Sequence, residues 1–132
     1  MALNILIVDD SETTRNIIAK SLVMAGVDIG EIYFANNGKD ALGLLEQRWV
    51  DLLFTDINMP IMGGMELVKQ MSDSDLLKTI PVIVVSTEGS ETRINELKSQ
   101  GIRAYIRKPF TPELLKETVT TVLGEGHERK AS

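Results

Sequence analysis

Three short runs are apolar at every position: Ile5-Leu6-Ile7-Val8, Leu52-Leu53-Phe54 and Val82-Ile83-Val84-Val85. A strand with one wet face alternates apolar and polar residues, so unbroken runs like these belong to strands covered on both faces. Segments of helical period separate them. Strand and helix alternating along one chain point to α/β architecture, with helices on both sides of a parallel sheet.

The first strand is expected over 4–8, then a helix with Ser11 at its cap. Thr14, Ile17, Ile18, Leu22 and Ala25 share one face of that helix, and Gly26 closes it. A second strand is expected over 31–35, with Asn36-Asn37-Gly38 as turn and cap for a helix carrying Ala41, Leu42, Leu44 and Leu45. Leu52 to Thr55 reads as the third strand. Gly63-Gly64 then precedes a helix holding Leu67, Val68 and Met71. Pro81 opens the fourth strand, where a missing amide proton is tolerated.

The stretch 90–100 reads as a polar helix anchored by Ile94 and Leu97, ended by Gly101. Residues 102–107 form the fifth strand, an edge by its charges at Arg103 and Arg107. Thr111-Pro112 starts the last helix, whose inner side is Leu114, Leu115, Thr118, Val119, Val122 and Leu123. One domain is expected over 1–124, followed by a polar tail, 125–132. Buried strands placed centrally and right-handed crossovers fit the order 2-1-3-4-5, a doubly wound, flavodoxin-like sheet.

In such a sheet the carboxyl ends of the strands share one edge, where ligands bind. Here those ends finish in reactive groups: Asp9-Asp10, Asp56, Ser86 and Lys108-Pro109. Three carboxylates on one edge repel one another unless a cation intervenes. Mg²⁺ answers that need with one or two carboxylates, waters and a phosphate oxygen. Zinc does not, since the chain has no cysteine and a single histidine, His127, in the tail. A carboxylate beside such an ion can attack a phosphoryl group, with Lys108 and Ser86 stabilising the transferring oxygens.

Composition narrows the partners. A net charge of −5 over 132 residues disfavours a direct nucleic-acid binder. No apolar run approaches the roughly 20 residues of a membrane span, and residues 1–4 lack the features of a signal peptide. The absence of cysteine suits a reducing cytoplasm. Taken singly, Asp9 or Asp10 reads better as a helix cap and Lys108 as a solvated charge, and Thr87 competes with Ser86.

Taken together and in order, these residues resemble the receiver domain of two-component response regulators, over about residues 3–123. The resemblance rests on Asp9-Asp10, on Asp56 followed by Met59-Pro60 and Gly64, on Ser86, and on Lys108-Pro109-Phe110. The order 2-1-3-4-5 is also that family's, so the two expectations are not independent.

The resemblance implies that Asp56 accepts phosphoryl from a sensor histidine kinase. It implies Mg²⁺ ligation by Asp10, Asp56 and the Asn58 carbonyl, with Asp9 acting through a water. Lys108 is implied to pair with Asp56, and Lys108-Pro109 to be a cis peptide. Tyr105 is implied to be the switch aromatic that swings in behind Ser86. A stand-alone, monomeric regulator is expected, and Asn58 and Glu88 match the chemotaxis type, which favours action on a motor-switch protein over another effector. Passing phosphoryl to a histidine phosphotransfer protein is the alternative.

Gly63 departs from the family, where aspartate is common, and puts a side-chain cap in doubt. The connection through Asp28-Ile29-Gly30 is slightly long. Ile57 and Ile61 make the loop around Asp56 apolar, which favours an apolar partner contact. Met65 and Met71 read as core, while Met59 and Met62 stay open. Two rival readings remain. An aspartyl-phosphate phosphatase expects a second acid where Asn58 stands, and a cap for which the chain has no room. A degenerate docking module expects a broken site.

Overall fold

In the computed structural model, which describes residues 2–131 and their side chains as far as residue 124, strands and helices alternate throughout. The strands are β1 (Leu3–Val8), β2 (Ile29–Ala35), β3 (Leu52–Thr55), β4 (Val82–Ser86) and β5 (Ala104–Arg107). The helices are α1 (Glu12–Met24), α2 (Gly38–Gln47), α3 (Gly64–Ser72), α4 (Glu91–Ser99) and α5 (Pro112–Ala131). The sheet is parallel in the order β2-β1-β3-β4-β5, as expected.

Because successive side chains point to opposite faces of a strand, each apolar strand feeds two cores. Leu6, Val8, Leu53, Val82 and Val84 meet Ala41, Leu45, Leu67, Val68, Met71 and Leu97 from α2, α3 and α4. Ile5, Ile7, Leu52, Phe54, Ile83, Val85 and Ile106 meet Ile18, Leu22, Leu115, Val119 and Val122 from α1 and α5. Burial on both faces explains the unbroken apolar runs. Ser11, Asn37 and Ser90 cap α1, α2 and α4 through their side chains, and the Thr111 hydroxyl accepts from the Leu114 amide at the start of α5.

Two expected core residues are not core. Ile17 is 51% exposed and Leu114 42% exposed, while their neighbours Ile18 and Leu115 are buried. Adjacent residues on a helix point about 100° apart, so only one of each apolar pair can face the sheet. Ser21 takes the inner position on α1 that periodicity did not assign.

β2 starts at Ile29, earlier than expected. The long connection is absorbed as a register shift, Leu3 pairing with Ile29 but Ile5 with Ile32. Asn4 Oδ1 accepts from the Glu31 amide there, and a Cβ at Gly30 would lie 2.6 Å from that oxygen. β5 starts at Ala104, with Ile102 buried just before it. A short 3₁₀ turn, Leu77–Thr79, precedes β4.

The final helix continues past Gly124 to Ala131. The two glycines there, Gly124 and Gly126, cost the helix only about 1 kcal/mol each against alanine, and the Glu, Arg and Lys around them are good helix formers. The side chains of the expected tail, His127 included, lie outside the described residues.

Candidate functional site

The carboxyl edge is assembled by hydrogen bonds between neighbouring strand ends. The Asp9 amide donates to the Ala35 carbonyl, the Asp56 amide to that of Val8 and the Lys108 amide to that of Ser86. This brings residues 9, 56, 86 and 108 side by side although they are far apart in sequence.

Lys108 Nζ lies 3.1 Å from Asp9 Oδ2 and 3.1 Å from Asp56 Oδ2. The Asp9 side chain is 3% exposed, that of Asp56 14% and that of Lys108 18%. The other carboxylate oxygens are also held: Asp9 Oδ1 accepts from the Ser11 amide at 2.9 Å, Asp56 Oδ1 from the Ile57 amide at 2.6 Å. Asp10 and Asn58 are exposed beside this trio. The pairing of Lys108 with Asp56 was expected; its equal bond to Asp9 was not. The Lys108-Pro109 peptide is cis.

The charges do not balance, because two carboxylates face one ammonium. Burial pushes the Asp9 carboxyl above its ordinary 3.8, and the Asp56 charge adds to the rise. The Ser11 amide and Lys108 pull it back without cancelling it. For Lys108, burial works against the ammonium, but Asp9 and Asp56 outweigh it and hold the group above its ordinary 10.5.

That residual deficit of positive charge is what a divalent cation would correct. Among the described residues no three acidic, histidine or cysteine side chains converge on one point to hold a metal unaided. The donors are all oxygens and few, which fits Mg²⁺, whose shell is completed by water and phosphate oxygens. Asp9, Asp10, Asp56 and Asn58 are the residues available to hold it.

Ser86 is fully buried at the end of β4, whereas Thr87 is exposed. The Ser86 hydroxyl accepts from the Glu88 amide at 3.2 Å and, among the described residues, bonds none of the Asp9–Asp56–Lys108 trio. Tyr105 is half-buried against the α2–α3–α4 core, and its hydroxyl donates to the Glu88 carbonyl. Burial raises the phenol above its ordinary 10.0; a hydrogen bond with Ser86 works the other way, and the Glu88 and Asp56 charges add to the rise.

α3 begins against the backbone of the Asp56 loop. Gly63 caps it without a side-chain bond, and a Cβ there would lie 2.6 Å from the Ile57 carbonyl oxygen. A Cβ on Gly64 would run into the Asp56 carbonyl, and the Gly64 amide donates to Ile57 O at 2.8 Å. Glycine at 63 therefore replaces a capping side chain with close backbone contact. Ile57 is buried and Ile61 is 79% exposed, so the apolar loop splits into a core residue and a surface one. Met59, Met62 and Met65 all pack on the core.

Arg15 is the member that residue patterns did not single out. Its Nη1 donates to the Asp9 carbonyl at 2.7 Å and to Asn36 Oδ1 at 2.6 Å, and its guanidinium stands 5.7 Å from the centre of the Phe34 ring. It ties the loop carrying the acidic pair to the loop after β2. A cation one turn after the Ser11 cap is the available signal, because helical side chains lean toward the N-terminus.

Residues 5–120 match the response regulator receiver domain family model. The chain belongs to the response regulator receiver family. It is 41% identical over 125 residues to the chemotaxis protein CheY homolog of Campylobacter jejuni, covering 94% of this chain and 95% of the relative. It is 38% identical over 123 residues to the chemotaxis protein CheY1 of Helicobacter pylori, covering 92% and 98%. Among solved structures it resembles the chemotaxis response regulator CheY4 of Vibrio cholerae, with a TM-score of 0.81 at 33% identity over 92% of this chain and 99% of that one. A CheY-like receiver from Methanospirillum hungatei gives 0.85 at 27%, over 98% and 99%. No helix among the described residues of this receiver is long and apolar enough to cross a membrane.

Proposed function

We propose that this receiver is a phosphorylation-controlled switch with Asp56 as its phosphoacceptor, phosphorylated by a histidine kinase. The observation that carries the proposal is the Lys108 ammonium shared at 3.1 Å between Asp9 and Asp56 on the ligand-binding edge of the sheet. An Asp56 carboxylate oxygen attacks phosphorus, forming the acyl phosphate as the phosphorus–nitrogen bond of the donor phosphohistidine breaks. The electron pair of that bond returns to the imidazole. Lys108, already in place, offsets the added negative charge on the phosphoryl oxygens. Mg²⁺ bound by Asp9, Asp10, Asp56 and Asn58 would supply further charge neutralisation at the same oxygens.

Ser86 accepts a hydrogen bond from Glu88 N, and its proton is available to a phosphoryl oxygen. Drawing the hydroxyl toward Asp56 would alter its bond to the amide of Glu88, the residue whose carbonyl holds the Tyr105 hydroxyl, and so the start of α4. α4 is anchored by the buried Leu97, with Ile94 half-buried, which makes it a segment that can shift at low cost. The surface of α4, β5 and α5 is the output face. The names of the relatives favour chemotaxis, through a motor-switch protein or equivalent effector, for a monomer working in the cytoplasm without further catalytic turnover.

The test is incubation with acetyl phosphate and Mg²⁺ followed by intact-mass measurement. One added phosphoryl group is expected, absent with Asp56→Asn and absent with chelator. Addition that persists in Asp56→Asn would sink the assignment.

A further inference from the structure

The loop that carries Asp56 also carries the most exposed large apolar side chain of the described residues, Ile61, at 79%. Its backbone is held at φ 68°, a region that β-branched residues avoid. The Met62 amide donates to the Pro60 carbonyl at 2.7 Å, which closes a γ-turn with Ile61 at its centre. This is the rarer, strained hand of that turn.

Both flanks of the turn are clamped. On one side the Met62 carbonyl accepts from the Gly38 amide at 2.8 Å, and Gly38 lies so close that a Cβ would meet the Met62 side chain at 2.8 Å. On the other, Gly63 and Gly64 press against the carbonyls of Ile57 and Asp56. The surroundings thus fix Ile61 in a conformation its own chemistry disfavours, and aim its side chain into solvent. Strain kept in this way is found where a site uses it.

The stretch from Ile57 to Met65 carries no charge, in a chain that is 25% charged. Water is therefore removed from it at low cost. Asp56 itself is only 14% exposed, so a phosphohistidine reaches it only when the donor's surface closes over this edge.

We propose that Ile61 is a docking knob for the phosphodonor protein, seated in an apolar recess beside the donor's phosphohistidine. This rests on the reading of Asp56 as phosphoacceptor. A small donor such as acetyl phosphate has no such recess, so Ile61 contributes to transfer from protein and nothing to transfer from acetyl phosphate.

The experiment compares wild type, Ile61→Asn and Ile61→Leu with two donors. One is acetyl phosphate. The other is the autophosphorylated histidine kinase that, in a panel from the source organism, transfers fastest to the wild type. Asparagine accepts positive φ, so Ile61→Asn should unfold a few degrees higher than wild type. It should keep its acetyl phosphate rate within about twofold. It should lose about tenfold or more in kcat/KM with the kinase, chiefly through KM, which is the factor that burying one aliphatic side chain is worth. Ile61→Leu should restore most of that loss.

Equal loss with both donors would overturn the proposal, since Ile61 would then shape the acceptor loop rather than dock. No loss with either would overturn it too. If wild type takes phosphoryl from neither donor, the phosphoacceptor reading falls and the docking role falls with it.

Discussion

The two ends of the same sheet handle polar groups in opposite ways. At the amino edge, Asp51 bonds to neutral donors. Its Oδ2 accepts from the Asn4 amide and its Oδ1 from the Trp49 indole, both at 2.8 Å, while Asn4 Oδ1 accepts from Glu31 N at 3.0 Å. At the carboxyl edge, Asp9 and Asp56 share one lysine, and Asp9 stays pushed above its ordinary range. The amino edge is a matched hydrogen-bond network that holds strands together. The carboxyl edge carries an excess of buried negative charge that folding alone does not require. Stability is located at one end, and the chemistry we propose at the other.

The sharpest way to break this contrast is to remove the shared cation. Lys108→Met should lower the rate of phosphorylation by acetyl phosphate by about 100-fold or more, the usual loss when one preorganised charge is deleted from a phosphoryl site. A rate within a few-fold of wild type would show that Lys108 is only structural. The matching change at the other edge is Asp51→Ala, which leaves the Asn4 amide and the Trp49 indole without their acceptor. It should cost about 1–3 kcal/mol in a denaturant titration and leave phosphorylation unchanged.

Asp9→Asn should act in the opposite sense. A carboxyl whose folded pKa is raised favours the fold while protonated. That contribution is complete below 3.8 and is lost as the pH climbs through the raised value. At neutral pH the metal-free protein therefore carries a destabilising charge at Asp9. Removing it should gain about 1 kcal/mol in chelator, or some 2–4 °C, and should weaken the stabilisation that added Mg²⁺ gives. Thermal unfolding at stepped pH, with and without Mg²⁺, reads both effects; a variant less stable than wild type in chelator would contradict the charge-excess picture. The smallest effect belongs to Trp49→Phe, which deletes one exposed hydrogen bond at the amino edge. It should cost no more than about 1 kcal/mol, without change at the site.

The architecture was legible because the signals for it are strong and redundant. Unbroken apolar runs at β1, β3 and β4 required two covered faces, and the caps at Ser11, Asn37 and Thr111 are local chemistry. The sequence-predicted core erred where two apolar residues are adjacent on a helix, at Ile17-Ile18 and Leu114-Leu115. Periodicity gives a stripe, but the docking angle on the sheet decides which neighbour lies inside. The start of β2 was missed because the register shift at Asn4 depends on a side chain meeting another strand.

At the site, residue identities were visible and their partners were not. Asp9, Asp56, Ser86 and Lys108 stand out because strand ends converge on one edge. The equal sharing of Lys108 by Asp9 and Asp56, the Arg15 tie to Asn36, and the close fit of Gly63 and Gly64 onto the Asp56 loop are distances between segments remote in sequence. No local pattern encodes them.

The central claim is that the charge excess at the carboxyl edge exists to let Asp56 take phosphoryl. It is tested most directly by phosphorylating the wild-type protein with acetyl phosphate and Mg²⁺, reducing with borohydride, and sequencing its peptides by mass spectrometry. Borohydride converts an aspartyl phosphate to homoserine, so homoserine at position 56 and at no other aspartate is expected. Homoserine at Asp9, Asp10 or elsewhere, with residue 56 still aspartate, would contradict it.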